Sequence, residues 1–289
     1  MNLNDIIDLI WPQEEQLNDC LAANTEVLRM IESSNLTLRE REPVHLATGN
    51  KQIYDPLFPG YNANGLPNSN YVAAEGPNDI GLNGMPTHGG IARFFENTLF
   101  NHAFPIKLIL AIGHYGSQET RGDFAYYFGD GAHSYSTFDE SSQYAVQSRR
   151  VNTIVNEYEL RVEHSSGSIQ VAQLFWLPVA DLQPLPADRN VILALAQVYK
   201  LSRSEPVIIH CAAGVGRTGT AILTFKILDH YAAIFGSTDP VYAATQIRKL
   251  LVGIRTVRPA FVTTRKQLAS AIQCAMEIYN LRTKNAQEN

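Results

Sequence analysis

Apolar residues recur at helical spacing from Asn4 to Ile31, with Pro12 interrupting them. The pattern predicts two helical pieces forming an N-terminal cap. From Pro43 to Asn83 the chain is rich in Gly, Asn and Pro, leaving room for short extended pieces such as "NYVAA" at 70–74. "HGGIARFFENTLFNH" (88–102) reads as a helix, followed by a short buried strand in "PIKLILAIG" (105–113). "FAYYF" (124–128) reads as a further strand. Residues 129–150 are polar and rich in Ser and Tyr, and are expected to form an exposed excursion. Beyond them, "VNEYELRVEHSSGSIQVAQLFWL" alternates on both sides of "SSGS", the pattern of an antiparallel hairpin.

The last third is more regular. "RNVILALAQVYKLSR" predicts a helix, "EPVIIH" a buried strand, and "TAILTFKILDHYAAIF" one long helix closed by Gly236. Asp239 followed by Pro240 marks a helix start, a cap before a proline at the first helical position. "TTRKQLASAIQCAMEIYNLR" predicts a final amphipathic helix. Helices alternate with strands, without a linker or repeat. The expected fold is α/β: one domain with a central mixed, twisted sheet flanked by helices. Its expected boundaries are a helical segment over 1–34 packed on the domain, the domain over 35–284 and a polar tail over 285–289.

Composition narrows the function. The chain has 289 residues, of which 45% are hydrophobic and 18% charged, enough apolar material for a sizeable core. Its formal charge of -5 argues against a nucleic-acid binder, so an anionic ligand has to be held by local groups. Cys20, Cys211 and Cys274 are too widely spaced for a disulfide framework or a zinc site, which fits a reducing compartment. The histidines are scattered without metal spacing, and neither a metal nor a cofactor is expected. No apolar stretch reaches 18 residues, so no integral membrane segment is expected. The N-terminus lacks a basic lead and a cleavage site, which predicts a cytoplasmic protein. A leaderless bacterial effector exported into a host cytoplasm would carry the same features. No signal for an oligomeric state is visible.

The chemistry concentrates in "IIHCAAGVGRTGT" (208–220), where a buried strand runs through a glycine-studded turn into a helix. Successive backbone N–H groups in such a turn form a nest for an anion. The helix N-terminus adds partial positive charge at the same spot. Arg217 supplies a planar fork that matches two phosphate oxygens. Helix N-termini and nearby cations favour thiolate over thiol, and a thiolate facing a phosphate is a nucleophile. Cys211 therefore reads as the nucleophile. The backbone of Ala212, Ala213, Gly214, Val215 and Gly216, with Arg217, reads as the cradle, and Gly214 and Gly216 are expected to serve backbone geometry. The plainer alternative is a strand–helix turn with an ordinary buried cysteine. A nucleotide cradle is a poor rival because its terminal Gly-Lys-Ser/Thr is absent.

"HCAAGVGRTGT" resembles the signature of the cysteine-dependent protein-tyrosine phosphatases: His-Cys, five residues, then Arg-Ser/Thr-Gly. Ala212 stands where the tyrosine-specific branch usually has Ser. "NKQIYDPLFP" is similar to that family's phosphotyrosine-recognition loop through Lys51 and Tyr54. "NYVAAEGP" is similar to another family segment through Tyr71, Gly76 and Pro77. "VGIRTVRPAFVTTRKQL" matches through Arg255, Arg258, Val262, Thr264 and Gln267, with Thr263 where a first glutamine is expected. The resemblance implies a general acid on a loop roughly thirty residues before the cysteine. In "FWLPVADLQPLPADRN" it falls on Asp181, because that register keeps the preceding strand and Pro186 in place. Asp188 is the competitor, at the start of the next helix, where a cap is the plainer reading.

The resemblance also implies supporting roles. Tyr54 would stack on the substrate ring and set pocket depth. Gln267 would orient the attacking water, and Thr218 would hydrogen-bond the departing sulfur. His210 would order the loop, and Glu119 in "SQETRGDF" would brace Arg217. Trp11 reads as core. The implied activity is hydrolysis of phosphotyrosine in protein substrates through a cysteinyl-phosphate. Two alternatives stay open: an inositol-phosphate, phosphoinositide or dual-specificity phosphatase, and a low-turnover phosphotyrosine-binding module.

Overall fold

In the computed structural model, the described residues are 2–11, 69–73, 79–84, 88–100, 105–113, 127–128, 131–136, 142–180, 182–211, 214–257 and 261–287. The chain divides into two units. One comprises Glu42–Asp181 and Gln197–Gly214, and holds the sheet. The other comprises Met1–Arg41, Leu182–Ala196 and Val215–Asn289, and is helical.

The sheet unit carries β1 (Ser69–Ala73), β2 (Asp79–Gly84), β3 (Leu108–Ile112), β4 (Gly131–Ser136), β5 (Gln143–Asn152), β6 (Glu157–His164), β7 (Ile169–Leu177) and β8 (Val207–Cys211). They form one mixed sheet in the order β1-β2-β8-β3-β7-β6-β5-β4. The run β2-β8-β3-β7 is parallel, and the outer pairs are antiparallel. Every residue of β3 and β8 is buried, as expected of strands covered on both faces. β6 alternates instead: Tyr158, Leu160 and Val162 are buried, while Glu159, Arg161 and Glu163 face solvent. Helix α2 (His88–Phe95) continues without a break into a π-helical turn, Glu96–Phe100. It contributes Ile91, Phe94 and Phe95 to a core shared with Ile109, Tyr144, Leu160, Leu174 and Ile208.

The helical unit carries α1 (Leu3–Ile10), the start of α3 (Arg189–Leu201), α4 (Gly216–Asp229), α5 (Tyr231–Phe235), α6 (Pro240–Val257) and α7 (Arg265–Gln287). α1 is capped by Asn2, whose side chain accepts from the Asn4 N–H. It packs against α6 and α7, burying Ile6 and Ile7. The α6 start has the expected form, with Asp239 Oδ1 accepting from the Val241 N–H at 2.9 Å. The remainder of the expected cap, residues 12–34, lies outside the described residues. Among the described residues no helix is long and apolar enough to cross a membrane.

Three expectations are corrected. The polar stretch 129–150 is not an excursion, because most of it is β4 and β5. Tyr144 and Val146 point inward and are buried, while Gln143, Ala145 and Gln147 point outward, so a period of two runs beneath a polar surface. Of the strand expected over 124–128, Tyr127 and Phe128 stand in a bend, and 124–126 lie outside the described residues. The long helix predicted over 220–235 is two helices, interrupted at His230, which is non-helical at φ -109° and ψ 15°.

Candidate active site

β8 ends on Cys211, which is 3% exposed. The N–H of Gly214 donates to the Cys211 sulfur at 3.2 Å. Gly214 reaches that position with φ +67°, a region open to glycine and strained for most other residues. One residue earlier, His210 is fully buried, and its Nε2 lies 2.5 Å from the Tyr127 hydroxyl. Burial pushes the Tyr127 phenol well above its ordinary range, so it stays protonated and able to donate. Phe94 stands edge-on to the same imidazole, with ring centroids 6.4 Å apart. The strand end bearing the cysteine is thus fixed by a hydrogen bond and by aromatic packing.

The helical unit holds the other half of the signature. α4 begins at Gly216, and Val215 at its N-cap offers no side-chain oxygen, leaving the first N–H groups of the helix without a side-chain cap. Arg217 is 2% exposed, an unusual burial for a guanidinium. Thr218 is fully buried, and its hydroxyl has no hydrogen-bond partner among the described residues.

Gln267, on the first turn of α7, is 1% exposed and not the surface residue that a polar side chain on an amphipathic helix suggests. Its Oε1 accepts from the Thr263 N–H at 2.8 Å, and its Nε2 donates to the Gln183 carbonyl at 3.5 Å. Gly216 is what lets this amide approach. A Cβ at 216 would fall 2.9 Å from Nε2, 3.0 Å from Oε1 and 2.8 Å from the Thr263 hydroxyl. The sequence assigns Gly216 to backbone geometry, but the requirement for glycine there is this close contact.

Gly219 serves the same segment. A Cβ there would fall 2.7 Å from the Val262 nitrogen and 2.8 Å from the Phe261 Cβ. Val262 itself adopts φ +60°, a strained conformation for a β-branched residue. Arg255 holds it there, donating from Nε to the Phe261 carbonyl and from Nη2 to the Val262 carbonyl, both at 2.9 Å. The Trp11 ring lies 5.6 Å from that guanidinium, and the Trp11 carbonyl accepts from Arg265 Nε at 3.1 Å.

A sequence model of the protein-tyrosine phosphatase family matches residues 56–277. The chain belongs to the protein-tyrosine phosphatase family. Tyrosine-protein phosphatase 2 of Dictyostelium discoideum is 31% identical over 86 residues, which cover 30% of this chain and 22% of that protein. Tyrosine-protein phosphatase 1 of Caenorhabditis elegans is 25% identical over 132 residues, covering 45% of this chain and 12% of that protein. The match thus spans under a quarter of the length of either relative. Among solved structures, a Trypanosoma brucei protein tyrosine phosphatase superposes with a TM-score of 0.61 at 16% identity, covering 89% of this chain and 94% of that one. A Trypanosoma cruzi counterpart gives a TM-score of 0.58 at 17% identity, covering 82% and 78%. The phosphatase fold, with its mixed sheet and helices, is therefore the fold of this chain.

Several phosphatase residues anticipated from sequence, namely Asp181, Tyr54, Glu119, Ala212, Ala213, Lys51 and Arg258, lie outside the described residues. On one side of Asp181, Trp176 Nε1 donates to the Gly113 carbonyl at 2.9 Å within the sheet unit. On the other, Asp188 accepts from the Val191 N–H at 2.9 Å and caps α3. Two supporting residues escaped the sequence reading. Tyr127, the partner of His210, carries no local signal. Ser270 does carry one: it follows Gln267 by three positions and so shares its face of α7.

Proposed function

We propose that the protein hydrolyses phosphotyrosine in protein substrates through a cysteinyl-phosphate. The Cys211 thiolate attacks phosphorus, a sulfur–phosphorus bond forms and the tyrosine oxygen–phosphorus bond breaks. The departing oxygen takes the proton of Asp181. Water then attacks phosphorus and gives a proton to the Asp181 carboxylate, the sulfur–phosphorus bond breaks, and phosphate leaves. The backbone from Ala212 to Gly216 and the Arg217 fork hold the phosphate oxygens, and Gln267 orients the water. Thr218 donates to the sulfur as it leaves, a role suited to a buried hydroxyl otherwise without a partner among the described residues. His210 orders the loop, Glu119 braces Arg217, and Tyr54 walls the pocket. With Tyr54 as a wall, only a side chain as long as phosphotyrosine reaches the sulfur, and its ring gains aromatic contact on the way.

The observation that carries this reading is the Gly214 N–H directed at the Cys211 sulfur from a left-handed turn. An ordinary buried cysteine needs no such turn. The loop interior, Ala212 to Gly216, has no basic side chain, which disfavours highly anionic inositol rings. Turnover of matched phosphotyrosine and phosphoserine peptides by wild type and Cys211→Ser tests it. The expected result is phosphotyrosine-selective turnover that Cys211→Ser abolishes while peptide binding persists. Substantial activity in Cys211→Ser would remove the nucleophile assignment.

A second reading, a phosphotyrosine-binding module with little turnover, is favoured by Thr263 in place of a glutamine. It is also favoured by the Gln267 amide, whose oxygen and nitrogen are both engaged by backbone groups. Tight peptide binding by wild type without phosphate release would select it.

A further inference from the structure

Residues 183–188 run without helix or strand between the acid loop and α3. The residue that opens this arm, Leu182, has φ +58° and is exposed. Leucine has no side-chain reason to adopt a left-handed conformation, and such conformations persist only where the chain around them is held. Two side chains on α7 hold the arm. Gln267 Nε2 donates to the Gln183 carbonyl at 3.5 Å. One turn further on, Ser270 Oγ donates to the Leu185 carbonyl at 2.6 Å, with both residues buried. The two grips match in spacing. Side chains three apart on a helix stand ~5–6 Å from one another, and carbonyls two apart along extended chain stand about 6.5 Å apart. The arm then ends at Asp188, tied to the first turn of α3. Of the two grips, Ser270 makes the shorter bond, in a buried setting where the Leu185 carbonyl has no water to replace it.

We propose that Ser270 is a positioning residue for leaving-group protonation. By holding Leu185 it fixes the arm that begins at Leu182, the residue immediately after Asp181 in the chain. The inference rests on Asp181 acting as the general acid. A general acid works only within hydrogen-bond reach of the atom it protonates. Loss of the Ser270 hydroxyl releases Leu185, leaves the longer Gln267 contact with Gln183, and loosens the chain next to the acid. The phosphate cradle is untouched, so the defect falls on substrates whose leaving group needs the proton.

The experiment compares kcat/KM for a phosphotyrosine peptide with that for an aryl phosphate whose phenol is strongly acidic. Ser270→Ala should lose about tenfold on the peptide, within the ~10²-fold that a 1 Å misplacement can cost, and little on the aryl phosphate. Ser270→Thr, which keeps the hydroxyl, should restore the peptide rate. Ser270→Cys, a weak donor of similar size assayed under reductant, should fall between, and decides the matter if the alanine variant does not fold. Asp181→Ala is measured beside them. If Asp181→Ala shows the leaving-group dependence and the folded Ser270 variants lose both substrates equally, or neither, the role of Ser270 is overturned and the acid assignment stands. If Asp181→Ala shows no such dependence, the acid assignment fails and the Ser270 proposal fails with it.

Discussion

The two units of the chain bury different things. In the sheet unit the interior is aliphatic and aromatic, with Thr98, Ser202 and His210 as its buried polar residues among those described. In the helical unit Arg217, Thr218, Thr220, Thr224, Arg255, Gln267 and Ser270 are all buried. Several of these bind backbone rather than one another: Thr224 reaches the Ala271 carbonyl, Arg255 reaches Phe261 and Val262, and Ser270 reaches Leu185. Apolar burial is the cheaper way to stabilise a fold, because a buried polar group must find a partner to offset its lost hydration. The sheet unit thus serves as a stiff mount for the strand ending in Cys211. In the helical unit the buried polar side chains hold backbone in place.

Substitutions can break that contrast, and the largest expected effect is on chemistry. Asp181→Ala should slow phosphotyrosine turnover by ~10²–10⁴-fold, the usual worth of general acid catalysis, and do much less on an aryl phosphate with a good leaving group. Asp188→Ala should show no such selectivity, since that carboxylate caps α3. Reversal of the two results would mean that the loop register is wrong. In the sheet unit, Phe175→Ala removes a fully buried ring and should cost about 3–5 kcal/mol in urea unfolding. Its kcat/KM per folded molecule should be unchanged, and a catalytic defect there would undo the division of labour.

Gly219→Ala sharpens the comparison from the helical side. The added methyl meets the Val262 nitrogen and the Phe261 side chain, so overpacking should cost about 1–3 kcal/mol. Because that segment continues into Thr263 and the Gln267 amide, turnover should fall beyond what lost stability explains. The smallest effect is a pH dependence. Burial pushes the Cys274 thiol from 9.0 up to about 11. Between those values the unfolded chain has released a proton that the folded chain keeps, so this contribution to stability is complete below pH 9 and is lost as pH rises toward 11. Cys274→Ala should flatten the stability profile in that window. At neutral pH alkylation should find Cys211 well before Cys274.

Much of this was legible where neighbours in sequence settle the structure. The hairpin of β6 and β7 shows its period of two, the Asp239-Pro240 start shows its cap, and the signature announces its own strand–turn–helix. β4 and β5 were hidden because only Tyr144 and Val146 on β5 mark the inner face, amid polar residues on both sides. The interruption at His230 has neither glycine nor proline to flag it. The left-handed Leu182 and Val262 are equally silent, since nothing in a leucine or a valine hints at positive φ. The demand for glycine at 216 comes from Thr263 and Gln267, some fifty residues away in sequence, and contacts of that range leave no local trace.

The N-terminal helix bears on how this chain can be shortened. The region matched to the family begins at residue 56, which makes that point an inviting place to start a recombinant fragment. Such a fragment would strip Ile6, Ile7 and Trp11 from α6 and α7 and lay bare the apolar surface they cover. It would also take the indole from above Arg255, the residue that clamps Val262, and two acceptors from Arg265, namely the Trp11 carbonyl and the Asp8 carboxylate. A truncation far from the signature in sequence would therefore be felt at Gln267, and the shortened protein would invite aggregation as well as slow turnover.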